Sequence, residues 1–200
     1  MKKLLIITSL AILLLTPSTS RAVFGCSGYN DVEADDWFCP AVSYLQELGV
    51  LSIMSLFNPT HDMNRAEGLK VLYEASGKHI PEWSGDLFDI GSNDWFKPYF
   101  YAAYANHHIK APFDRFDAHL PMTKAEFLIL YLKIMEVEPG NNYCDLKETG
   151  ALQMASWAFE PKVHYYLCKA QDMELASKEF DDDHINRAVA MQILYNSLTK

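Results

Sequence analysis

Apolar positions along this chain recur at helical spacing in short blocks, and a polar signature precedes several of them. Phe100, Ala103, Tyr104 and His107 fall at i, i+3, i+4 and i+7, as do Val163, Tyr166, Leu167 and Ala170. Each set predicts one face of an amphipathic helix. Ala41, Leu45 and Leu48 form the matching face of an earlier helix, with Gly49 placed to end it. Other helices begin at a polar cap. Thr123 and Glu126 stand at capping-box spacing ahead of residues 127–135. The hydroxyl accepts a first-turn N–H while the glutamate reaches back to the cap's own N–H. Asn64 and Glu67 repeat the device before Leu69, Leu72 and Tyr73. Asn186 opens a third copy before Met191, Leu194, Tyr195 and Leu198, with Val189 where the glutamate would stand. Residues 127–135 are apolar nearly all round, which predicts a helix buried between neighbours.

The landmarks recur in order. Tyr29-Asn30-Asp31-Val32, Phe88-Asp89-Ile90 and Tyr143-Cys144-Asp145-Leu146 each precede a tryptophan, Trp37, Trp95 or Trp157, at a period of about sixty residues. A phenylalanine (Phe57, Phe116, Phe180) then leads to the capping segment. This is one unit of two helices read three times. Residues 23–81, 82–139 and 140–200 are the expected units, with 79–82 and 138–141 as linkers. Two helices cannot bury their own faces, so the three units are expected to form one all-α domain.

Residues 1–22 change the picture of where the chain works. Two lysines, an apolar run over 4–15, then Ser20 and Ala22 read as a secretory signal peptide cleaved after Ala22. The run is short for a transmembrane helix, which needs about 20 residues. The mature chain holds no other apolar stretch long enough to cross a bilayer. Arg21 and the bulky Phe24 argue against a lipoprotein-type site at Cys26. Removing Lys2, Lys3 and Arg21 takes the formal net charge from −9 to −12. Such acidity excludes nucleic acid as a partner, and an anion must be met at local basic points. Half the residues are hydrophobic, enough for a real core. Four cysteines in an exported chain imply two disulfides with three possible connectivities. Cys26–Cys39 and Cys144–Cys168 are favoured, because each pair brackets the approach to a unit's first helix.

The order Tyr29-x-Asp31-Val32, Asp36-Trp37-Phe38, helix, Phe57-x-Pro59, Asn64-Arg65-Ala66-Glu67, helix resembles the S-layer homology (SLH) repeat. The resemblance runs from Tyr29 to Leu198 and weakens in the third unit. It implies three helix-loop-helix SLH repeats around a pseudo-threefold axis. It also implies non-enzymatic attachment of an exported protein to cell-wall polysaccharide, often a pyruvylated secondary polymer, or to peptidoglycan. The ligand would sit in inter-repeat grooves, its acidic group met by the basic residue of the capping motif: Arg65, Lys124 and Arg187.

The residues themselves point to the same three positions. With Asn64, Thr123 and Asn186 as caps, each cation falls at the first helical residue, where the helix dipole disfavours it. Free N–H groups of a first turn meanwhile make an anion site. The competing expectation has each cation bend back to a nearby acid. Glu67 and Glu126 are accounted for by the capping box. Trp37, Trp95 and Trp157 could stack on a sugar ring, although a repeated tryptophan at a helix start is expected first to pack in the core. His107-His108 are adjacent rather than spaced i, i+4, and residues 181–184 lack the alternating acids and glycine of a calcium loop. No cofactor, metal or catalytic constellation is expected. The loops 52–56, 110–115 and 174–178 contain no glycine, which leaves a second reading open: an SLH-fold scaffold that binds another envelope protein.

Overall fold

Every polar cap read from the sequence starts a helix. The computed structural model describes residues 25–82, 90–91, 93–109, 115–141, 144, 147–148, 162–177, 179–180 and 183–200. Residues 1–22, expected to be a leader, and Trp157 lie outside them. Among the described residues six α-helices follow in order: α1 (Cys39–Glu47), α2 (Arg65–Ser76), α3 (Lys97–Ala105), α4 (Lys124–Ile134), α5 (Val163–Asp172) and α6 (Arg187–Leu198). The fold is all-α, with one two-residue parallel pairing of Lys147–Glu148 with Glu179–Phe180 among the described residues.

α1 and α3 each carry a proline in the first turn, where its missing N–H leaves no intrahelical bond unmade. α2 and α4 are closed by complete capping boxes, Asn64 with Glu67 and Thr123 with Glu126. α6 is capped by the Asn186 side chain on the Val189 N–H. α2 ends on Gly77 in the left-handed conformation, φ 61°. α3 ends at Ala105, sooner than the spacing of His107 predicts. His107 turns out at φ 58°, and His108 rather than His107 enters the interior, so the reading of His107 on the apolar face is corrected. α4 is buried from Ala125 to Leu132, in line with its unbroken apolar sequence.

Packing runs between units rather than within them. α2 packs on α3, α4 on α5, and α6 returns to α1, where Tyr44 and Tyr195 meet edge to face at 5.4 Å. The last helix therefore closes a ring on the first. At the centre the three capping segments bond to one another cyclically. Met122 N–H donates to the Met63 carbonyl (2.8 Å), Ile185 N–H to that of Met122 (2.9 Å), and Met63 N–H to that of Ile185 (2.8 Å). The side chains of all three are buried. In this closed triangle each segment donates once and accepts once, so every backbone donor in it is satisfied without a continuous sheet.

The disulfides join Cys26 to Cys39 and Cys144 to Cys168, the favoured pairing. No described helix is long and apolar enough to cross a membrane.

Candidate ligand-binding groove

The central triangle fixes where the three predicted cations sit. Each begins its helix beside the next unit and donates its own N–H there: Arg65 to the Leu120 carbonyl, Lys124 to that of Asp183, Arg187 to that of His61. Ala66 and Ala188 N–H bond to the Ala118 and Pro59 carbonyls, and Glu67 and Val189 N–H to their caps. In α2 and α6 the first three N–H groups are thus all taken by protein. The expectation that first-turn N–H groups form an anion site is corrected for these helices. What a ligand can meet is the side chain.

The side chains follow one rule, and the three seams then diverge. Arg65 points across to the capping-box glutamate of the second unit, with 3.8 Å from Nη2 to Glu126 Oε1, and its Nη1 donates to the Phe116 carbonyl at 3.2 Å. Glu126 is fully buried and Arg65 nearly so, which makes this seam an interior tie. Arg187 obeys the same rule toward the first unit, with Nη1 3.4 Å from Glu67 Oε1, and lies over the Phe57 ring at 5.4 Å. Here both partners remain partly open to solvent. The position equivalent to Glu67 and Glu126 in the third unit is Val189, which carries no carboxylate, and among the described residues Lys124 has no ion pair.

A cavity of about 410 Å³ opens beside Arg187. One wall is the loop after α1. Asp31 holds that loop by accepting the N–H groups of Phe57 and Asn58, both at 2.7 Å, which lets Asn58 keep φ 56°. Tyr29 donates its hydroxyl to the Ser52 carbonyl at 2.7 Å. Burial raises the Tyr29 hydroxyl above its ordinary range, against the opposing field of Arg187. The second wall is α2, presenting Glu67, Lys70 and Val71; Arg187 and Met191 of α6 close a third side, and Trp95 stands at the rim. Lys70 and Tyr29 were not singled out as site residues from the sequence. The available signal for Lys70 was a cation three residues past the box glutamate, where the other units have Ile129 and Gln192.

Trp37 and Trp95 do not pack in the core: they are 60% and 52% exposed, edge-on to Phe38 and Phe96. The neighbouring phenylalanines fill the interior instead, and the packing expectation is corrected for both. Away from the groove, Nδ1 of buried His108 and the Tyr73 hydroxyl share a hydrogen bond at 2.7 Å. Burial, then the charges of Lys133 and Lys78, pull its pKa down to about 4. Donor atoms of Cys144, His164 and Cys168 lie within 4.8 Å of one another, with both sulfurs committed to the disulfide.

Against known proteins, residues 28–67 match the S-layer homology domain. The chain is also similar to the surface-layer 125 kDa protein of Lysinibacillus sphaericus, at 28% identity over 122 residues. That stretch is 56% of this chain and 10% of the other protein, so the chain spans a small part of its relative's length.

Proposed function

We propose that this chain is a non-enzymatic cell-envelope module that binds anionic cell-wall polysaccharide, a secondary wall polymer or peptidoglycan, in an anchoring or structural role at the cell surface. The observation that carries the reading is the meeting of Arg187, Lys70 and exposed Trp95 in one cavity. Partly desolvated cations attract a carboxylate or phosphate more strongly than surface ones do. An indole face stacks on the C–H side of a sugar ring while its N–H donates to a hydroxyl. Glu67 is the sole carboxylate among the described residues lining the groove, whereas glycoside hydrolysis ordinarily uses two. The three units are read as three tandem repeats of the matched domain, bounded near residues 81 and 139, and residues 1–22 as the export signal.

The test is co-sedimentation of the mature chain with purified walls, before and after the secondary polymer is stripped. Binding lost on stripping supports a secondary-polymer ligand, and binding that survives on bare peptidoglycan supports the other polymer. A second reading, a protein partner in the envelope, is favoured by one observation. Ile53, Met54 and Leu56 project from the glycine-free loop at the groove's mouth, Ile53 at 81% exposure. Retention by envelope proteins but by no wall fraction would select it.

A further inference from the structure

We infer that Lys70, and not the arginine of the repeated capping motif, is the residue that reads the ligand's negative charge in this groove. The inference rests on the polysaccharide reading above and names the residue that would select an acidic polymer over a neutral one.

The two arginines of the motif are already engaged. Arg65 is tied to Glu126 and the Phe116 carbonyl in the interior. Arg187 is held between Glu67 and the Phe57 ring. Both contacts cross from one unit to another, so both arginines serve the ring's closure, and an incoming anion would meet Arg187 with the Glu67 carboxylate already beside it. Lys70 is placed otherwise. It lines the same cavity, half-buried, and among the described residues it has no ion pair. The acids on its own helix are spoken for: Glu67, three residues before, faces Arg187, and Glu74, four residues after, accepts the Tyr99 hydroxyl. A half-buried lysine that lines a cavity with Val71, Met54 and Met191, and has no ion pair among the described residues, is a place where an anionic ligand supplies a counter-charge. Among the described lining residues Arg187 and Glu67 offset each other, and Lys70 is the remaining charge.

Position also sets this unit apart. The residue equivalent to Lys70 is Ile129 in α4, buried in the core, and Gln192 in α6, whose amide donates to Asn196 at 2.8 Å. The backbone triangle makes the seams alike, and this side chain makes one of them different.

The experiment uses the mature chain and purified walls at several salt concentrations. It compares wild type with Lys70→Gln, Lys70→Arg, Trp95→Ala and a control, Lys78→Gln, which changes the same charge beyond the end of α2. Each variant is melted to confirm that it folds. Lys70→Gln is expected to bind about tenfold more weakly and with a flatter salt dependence. Lys70→Arg should restore both, and the control should bind as wild type. If Lys70→Gln binds like wild type while Trp95→Ala is weakened, the inference is overturned and the polysaccharide reading survives. If wild type binds no wall preparation, both are overturned.

Discussion

Arg187, at the start of the last helix, lies 3.4 Å from the carboxylate of Glu67, 120 residues earlier on the second helix. Glu67 is the residue that closes its own helix's capping box. One carboxylate therefore does two jobs: it caps the start of α2 locally and ties α6 to α2. Glu126 does the same for Arg65, but in the interior.

That difference in burial predicts unequal costs. Glu126→Ala leaves an arginine nearly buried without its partner and should lower unfolding free energy by about 2–4 kcal/mol. Glu67→Ala opens a pair that solvent already reaches and should cost about 1 kcal/mol, mostly as a lost cap interaction. Urea denaturation of the two variants checks this, and equal losses would contradict the ranking.

Val189→Glu should stabilise the protein. The substitution completes the missing capping box on α6 and supplies Lys124 with the carboxylate its counterparts have. A gain of about 0.5–1 kcal/mol is expected from cap and partly exposed ion pair together. Val189 is half-buried, so a measured loss would mean that its packing outweighs both effects.

The buried His108 makes the fold acid-labile. Its pKa is about 4 in the folded chain and ordinary, near 6.5, when unfolded. The unfolded state binds the extra proton first, so stability falls as pH drops from about 6.5 to about 4 and is flat above. The loss should be on the order of 2–3 kcal/mol from this group. Lys78, Lys133, Glu136 and His107 are the charges that act on it, and the Tyr73 hydroxyl is bonded to its ring. His108→Gln, which keeps an acceptor for Tyr73, should remove most of that slope in melts taken between pH 7 and pH 4. An unchanged slope would assign it elsewhere.

What was legible in the sequence was local. Asn64 with Glu67 and Thr123 with Glu126 lie three residues apart, and the unbroken apolar run after Thr123 can only be a buried helix once the cap is seen. The triangle of Met63, Met122 and Ile185 was not legible, because its bonds join residues 59, 63 and 122 positions apart and nothing in residue type announces them. Neighbouring cross-segment bonds, Arg65 N–H to Leu120 and Arg187 N–H to His61 among them, consume the N–H groups that the isolated motif offers. Trp37 and Trp95 were misjudged for a steric reason: Phe38 and Phe96, one position on, occupy the core. Lys70 was hidden by its uniqueness, since a search for repeats passes over the residue that only one unit has.

The central claim is that an acidic wall polymer sits between the loop after α1, α2 and the start of α6. Amide and indole chemical-shift mapping of the labelled mature chain, titrated with solubilised wall polymer, tests it most directly. The account predicts shifts clustered on residues 50–57, Lys70, the Trp95 indole N–H and residues 187–191, with the surroundings of Arg65 and Glu126 unmoved. Shifts confined to the far end around His107 and Glu136, or none at saturating polymer, would contradict it.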